Sequence, residues 1–177
     1  MKRIHPNIPA DGRFEPRVPL VLPHDEGFMR LALELAMEAA AEGEVPVGAV
    51  IAERTAGEYR VIASARNTRE LEKTASGHAE LRAIDEACRV RGDWRLTDCT
   101  LYVTLEPCPM CAGAVLNAHL PRVVYGAKDA RAGAFGSVVN LAAYPLGFTP
   151  EVVPGVLADE CSALMRGFFS SLREKRK

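Results

Sequence analysis

Four residues in two short stretches carry groups that could do chemistry together. Gly77-His78-Ala79-Glu80 brings an imidazole and a carboxylate, and Thr104-Leu105-Glu106-Pro107-Cys108-Pro109-Met110-Cys111 brings two thiols. One imidazole and two thiolates are enough to hold a zinc ion, and the carboxylate can then handle the protons of a water that the ion activates. The spacing supports this. If Cys108 opens a helix, Cys108 and Cys111 lie on one face of its first turn. A helix N-terminus favours thiolate over thiol, and Pro107 and Pro109 suit a first turn. His78 and Glu80 would point to different sides of a regular helix, so they are not two ligands of one ion. At a helix entrance both reach one site, the imidazole as ligand and the carboxylate beside the water.

The fourth ligand decides the function. Cys88 lies ten residues past His78 on what reads as one helix, roughly 15 Å away. Cys99 starts a strand that ends just before Cys108, which puts it about 20 Å off. His119 is at the far end of the Cys108 helix. None of these closes the shell; Cys161, His5 and His24 remain open. Three protein ligands and a water make a catalytic zinc, whereas four make a structural one. A Cys-x-x-Cys redox pair is the other bland reading, and it leaves His78 and Glu80 without a task.

The elements that must position these groups follow from pattern. A helix is expected over 26–41, capped by Asp25 and ended by Gly43. Its polar stripe, Arg30, Glu34 and Glu38, is narrow, so most of its circumference should be buried. Residues 45–54 and 59–65 read as a β-hairpin around Thr55-Ala56-Gly57-Glu58. A polar loop over 66–77 leads to a helix from His78 to Val90, closed by Gly92. A strand over 100–105, a helix from Cys108 that Pro121 stops and a strand over 122–126 read as a parallel pair with a right-handed crossover. A glycine-rich loop over 128–137, a short strand over 151–153 and a helix over 157–175 complete the chain. The fold class is α/β, a three-layer α/β/α sandwich with a mixed, mostly five-stranded sheet. Ligands of such sheets collect outside the carboxyl ends of the strands, where the Cys108 helix starts. Residues 1–25, rich in proline, read as an extended arm before one catalytic domain over 26–177.

Composition excludes little. The formal net charge of −1 gives no global footprint for nucleic acid and would suit a small-molecule enzyme equally well. The 5 cysteines, an odd number, argue against a complete disulfide framework. No signal peptide or membrane-spanning run is seen, so a cytoplasmic, reducing location is expected.

His78-x-Glu80 with Pro107-Cys108-x-x-Cys111 resembles the signature of the zinc-dependent nucleoside and base deaminases. Residues 44–50, 101–108, 122–129 and 157–161 extend the likeness to the TadA type of bacterial tRNA adenosine deaminases, from about Phe28 to the C-terminus. That resemblance implies a cytidine deaminase-like fold, one Zn2+ per subunit on His78, Cys108 and Cys111, and Glu80 as catalytic proton shuttle. It implies hydrolysis of adenosine to inosine at the wobble position of a tRNA anticodon stem-loop, by a homodimer whose interface involves the Cys108 helix and the glycine-rich loop. The alternatives are a free-base or nucleoside deaminase for guanine or cytosine and, outside enzymes, a zinc-stabilised binding module with a fourth protein ligand such as Cys161.

The resemblance also assigns substrate contacts to Asn67, Ala79, Asp129 and Phe168. From sequence alone Asn67 reads more readily as a turn residue, a reading the resemblance reverses, Asp129 reads equally as a turn residue, and Phe168 and Phe169 read as core for at least one of them. Arg173 and Lys175 to Lys177 offer a basic tail for phosphate. Where such enzymes usually read Pro-Thr-Ala before the metal histidine, this chain has Ala75-Ser76-Gly77, which predicts a more permissive backbone at Gly77.

Overall fold

The chain is described here from a computed structural model over residues 19–174. The β-branched and apolar runs become five strands: β1 (Gly48–Thr55), β2 (Glu58–Arg66), β3 (Cys99–Leu105), β4 (Arg122–Ala127) and β5 (Glu151–Pro154). The helices are α1 (Asp25–Ala41), α2 (Arg69–Glu72), α3 (Ala79–Arg91), α4 (Pro109–Asn117) and α5 (Ala158–Glu174). The sheet runs β2-β1-β3-β4-β5. β1 pairs antiparallel with β2 and β3, whereas β3-β4 and β4-β5 are parallel. This is the expected mixed five-stranded sheet.

Period-two alternation splits the strand side chains between two cores. Val50, Ala52, Tyr102, Val124 and Val153 face α1 and α5, packing on Met29, Ala32 and Cys161. Ala49, Ile51, Leu101, Val103 and Val123 face α3 and α4, packing on Ala83, Ala87, Ala112 and Val115. A sheet buried on both faces demands near-continuous apolar strands. The wholly buried β4 and the nearly wholly buried β3 meet that demand.

The strand directions gather the ends of four strands on one sheet edge. β2 ends at Arg66 beside the start of β1 at Gly48, and β3 and β4 both end on that side, at Leu105 and Ala127. The segments that leave this edge carry Asn67, His78, Cys108 and Asp129.

Several expectations need correction. Asp25 is not a cap: His24 occupies the N-cap of α1, and Asp25 is fully buried against Arg122 and Tyr102. α1 also exposes more than its narrow polar stripe predicts, with Leu31 and Met37 on the surface, because only the face carrying Met29, Ala32, Leu33, Ala36 and Ala39 meets the sheet. α4 stops at Asn117, before Pro121 could act. His119 turns the chain there with a φ of 53°, in the left-handed region where a helix cannot continue. The loop before His78 contains the short helix α2. Residues 1–18, most of the proposed arm, lie outside the described residues, as do Lys175 to Lys177 of the basic tail. Of the arm's end, the Leu20 carbonyl accepts a hydrogen bond from Arg122 Nη2 at 2.9 Å. Among the described residues no helix is long and apolar enough to cross a membrane.

Candidate metal centre and active site

His78 and Cys108 are the N-cap residues of α3 and α4, both with extended backbone, φ/ψ −81°/140° and −72°/171°. Pro109 follows as the first residue of α4, where its missing N–H costs nothing. Ala112 N donates to Cys108 O at 2.8 Å, which closes the first turn and brings Cys111 round to the face of Cys108. His78 Nδ1 stands 3.7 Å from Cys108 Sγ and 3.5 Å from Cys111 Sγ. The three donor atoms lie within 4.8 Å of one another. An ion bonded at about 2.3 Å to sulfur and about 2.0 Å to nitrogen fits between them.

The electrostatics suit a cation. The hydrogen bond from Cys111, ahead of that from His78, pulls the Cys108 thiol down to about 4. Cys111, which keeps that hydrogen bond and is buried, is pushed up. His78 is raised, chiefly by its bond to Cys108. The two sulfurs thus compete for one negative charge, and a divalent ion lets both ionise.

Glu80 sits in the first turn of α3 and is 4% exposed. Burial lifts its carboxyl to about 7, while His78 pulls it down and Cys108 pushes it up, so it shares the field of the ligand cluster. A carboxyl poised there can hold or release a proton at neutral pH. Ala79, the residue between ligand and acid, is fully buried.

The other candidates for ligands are settled by the layers. Cys161 lies against Gly126 on the α1/α5 face, in the core opposite to α4. His24 stacks on Tyr59 at a ring separation of 4.0 Å. Cys88 and Cys99 stay free and apart, and His119 stacks on Phe148. His5 lies outside the described residues. Among the described residues, then, the cluster has three protein donors.

Asn67 follows β2 directly and is 5% exposed, so it is no surface turn. Its Nδ2 donates to Glu44 Oε2 at 3.0 Å, and Glu44 also accepts from Leu71 N at 2.6 Å. A carboxylate only accepts, so the amide nitrogen must face it, leaving Oδ1 and one N–H for another partner. Thr68 N donates to Gly77 O at 2.9 Å, which ties Asn67 to the histidine loop. Gly77 is explained by space rather than by angle. It has no positive φ, and a Cβ on it would stand 2.9 Å from Arg69 Cα. The departure Ala75-Ser76-Gly77 lets α2 sit directly on the loop that presents His78.

Asp129 begins the loop after β4. Its Oδ1 accepts from Arg131 N at 2.9 Å, the turn role, and its backbone N–H donates to Glu106 Oε2 at 3.1 Å. Phe168 stands apart on α5. It packs edge-to-face with Phe169 at 5.4 Å, and neither joins a core cluster, against the expectation that at least one would. Sequence reasoning assigned no role to Glu44 or Glu106, although Glu106 is a charge at the end of an apolar run, next to Pro107, and Glu44 directly precedes the apolar stretch from Val45.

The likeness to known proteins agrees with this arrangement. The MafB19-like deaminase family model matches residues 24–173. The chain is 47% identical to the tRNA-specific adenosine deaminase of Bacillus subtilis over 154 residues, 86% of this chain and 93% of that one. A solved tRNA:A34 deaminase studied for A-to-I editing at the wobble position superposes with a TM-score of 0.72 at 40% identity, covering 78% of this chain and 98% of that one. The guanine deaminase of Nitrosomonas europaea superposes with a TM-score of 0.65 at 28% identity, covering 88% of each. From its signature, its fold and these relatives, the chain belongs to the tRNA-specific adenosine deaminase family.

Proposed function

We propose that the protein hydrolyses adenosine to inosine at the wobble position of a tRNA anticodon, in the cytoplasm, with one zinc ion per subunit on His78, Cys108 and Cys111. The observation that carries the reading is the three-donor cluster beside the buried acid Glu80, in a chain of this family. Imidazole and thiolates are ligands suited to zinc. Bound there, zinc supplies the Lewis acidity that makes water a nucleophile near neutral pH.

The remaining work falls to the chain. Glu80 takes the water's proton as its oxygen adds to C6 of adenine. It delivers that proton to ring nitrogen N1 and then carries the proton of the added hydroxyl to the leaving amine as the C6–N bond breaks, so that adenosine and water become inosine and ammonia. Asn67, fixed by Glu44, offers Oδ1 and an N–H to the purine edge. Asp129 keeps its second carboxylate oxygen for the ribose, and Ala79, buried between His78 and Glu80, backs the base-binding side of the site. Phe168 offers an aromatic face for stacking from the C-terminal half of α5. The target base must leave the anticodon stack to reach such a pocket.

A homodimer is part of the reading. Met110 on α4 and Val138, Val139, Tyr144 and Leu146 in the following loop are all exposed apolar side chains. The loop abuts the start of α4, with Ala134 N donating to Pro107 O at 2.9 Å. Light scattering is expected to give twice the chain mass; a single-chain mass at micromolar concentration would refute it.

The test of substrate is direct. The zinc-loaded protein is incubated with an anticodon stem-loop bearing a wobble adenosine and, in parallel, with free adenosine, guanine and cytosine. Inosine in the stem-loop alone is the expected result. Xanthine from guanine, or product only from a free base or nucleoside, would keep the metal chemistry and overturn the substrate.

A further inference from the structure

Glu106 is the first residue beyond β3 and lies two residues before the metal-site Cys108. Its backbone N–H donates to Ala127 O at 2.8 Å, extending the β3-β4 pairing by one bond. Its side chain is 2% exposed. Among the described residues it makes no ion pair. Its partners all come from one loop: Asp129 N at 3.1 Å on Oε2, Phe135 N at 3.0 Å and Ser137 N at 3.0 Å on Oε1, and the Ser137 hydroxyl. Gly133 of the same loop lies so close that a Cβ would overlap the Glu106 carboxyl group.

A carboxylate buried without hydrogen bonds costs several kcal/mol, and leaving a partner unmade costs more than making it gains. The loop therefore cannot lift away without stranding the charge. The other anchors of the loop are the bond from Ala134 N to Pro107 O at 2.9 Å and the packing of Ala134 and Phe135 in the core. Between Lys128 and Ser137 only Gly133, Ala134 and Phe135 are buried. Glu106 is thus bonded covalently to the turn that presents Cys108 and through hydrogen bonds to the residue at the head of the loop, Asp129. Beside the Ala134 N to Pro107 O bond, this side chain is the tie that reaches Asp129 from the Cys108 turn.

We infer that Glu106 is a positioning residue, which fixes the 128–137 loop and Asp129 at the distance from the metal centre that the ribose of the flipped nucleotide requires. This deepens the proposed tRNA reading and rests on it. The carboxylate acts through Asp129 and the loop, not on the reacting atoms. Replacing it should weaken substrate capture much more than the chemical step.

The test uses Glu106→Gln, which keeps the shape but turns an amide NH2 towards backbone N–H groups, and Gly133→Ala, whose Cβ crowds the same carboxylate and the Asp129 carbonyl that it positions. Both are loaded with zinc and assayed on the stem-loop beside the unaltered protein. Each is expected to raise KM about 10-fold with kcat within about 3-fold and full metal content, since small misplacements of a positioning element have effects of this order. The double variant should be no worse than the poorer single one, because both act on one contact. An unchanged KM in either variant, a fall in kcat that tracks metal loss, or effects that multiply in the double variant would overturn the role. Should Glu106→Gln fail to fold, Gly133→Ala decides alone by its KM. If the unaltered protein gives no inosine in the same assay, the substrate reading has failed, and that result is separate from any difference between variants.

Discussion

Glu80→Gln is expected to lose about 10³-fold in kcat on the stem-loop, which corresponds to roughly 4 kcal/mol of barrier. The amide fills the same buried space at the first turn of α3 and leaves His78, Cys108 and Cys111 untouched. Metal content should therefore stay at one per chain, and stem-loop affinity should change little. What disappears is a group that can hold a proton at neutral pH. The wild-type carboxyl can do so because burial raises it to about 7 while His78 keeps the charged form within reach. A surface glutamate, ionised throughout the neutral range, would return a proton poorly. The check is single-turnover conversion to inosine at matched zinc content. A rate within tenfold of wild type would remove Glu80 from the chemistry, and loss of metal with the rate would make it a structural support of the cluster instead.

The chemistry of this chain was legible because metal ligation needs particular atoms at short spacing, and helix geometry turns spacing into position. Cys108 and Cys111 share a face of α4 as their separation requires, and His78 and Glu80 straddle the entrance of α3. The sheet was legible for a related reason: β3 and β4 are buried on both faces, and a strand in that setting must be apolar almost throughout. The parts that escaped are those in which a polar residue is fixed by a partner distant in sequence. Nothing near Asp25 announces that it will meet Arg122 and Tyr102. Glu44 and Glu106 read as ordinary acidic residues, yet each is the acceptor on which a loop is hung, 67–71 on one and 129–137 on the other. Gly77 misled in a different way. Its conformational freedom was the visible property, but the space freed by its missing side chain is what the loop uses.

Arg122→Ala is expected to destabilise the fold by about 3–5 kcal/mol, the usual cost of removing one partner from a buried ion pair. Asp25 is 0% exposed and takes two bonds from this guanidinium, 2.7 Å to Oδ1 and 2.8 Å to Oδ2. Tyr102 donates to it at 3.0 Å and Leu22 N at 2.7 Å. The same guanidinium reaches Leu20 O and Glu151, so it fastens the segment before α1 and the edge strand β5 to the sheet. The pH dependence separates lost charge pairing from lost packing. Burial alone would raise Asp25; the hydrogen bonds and charge of Arg122, with Leu22 and Tyr102, outweigh it and hold the carboxyl below its ordinary 3.8. A carboxyl lower in the folded than in the unfolded state adds stability above about pH 4, and that stability is lost as pH falls through the folded value. Without Arg122 only Leu22 and Tyr102 oppose burial, so less of the stability of the variant is lost as pH falls. Urea midpoints from pH 7 to pH 3 should therefore show the gap between Arg122→Ala and wild type closing towards acid. A gap that stays constant over that range would mean that Arg122 stabilises by packing alone.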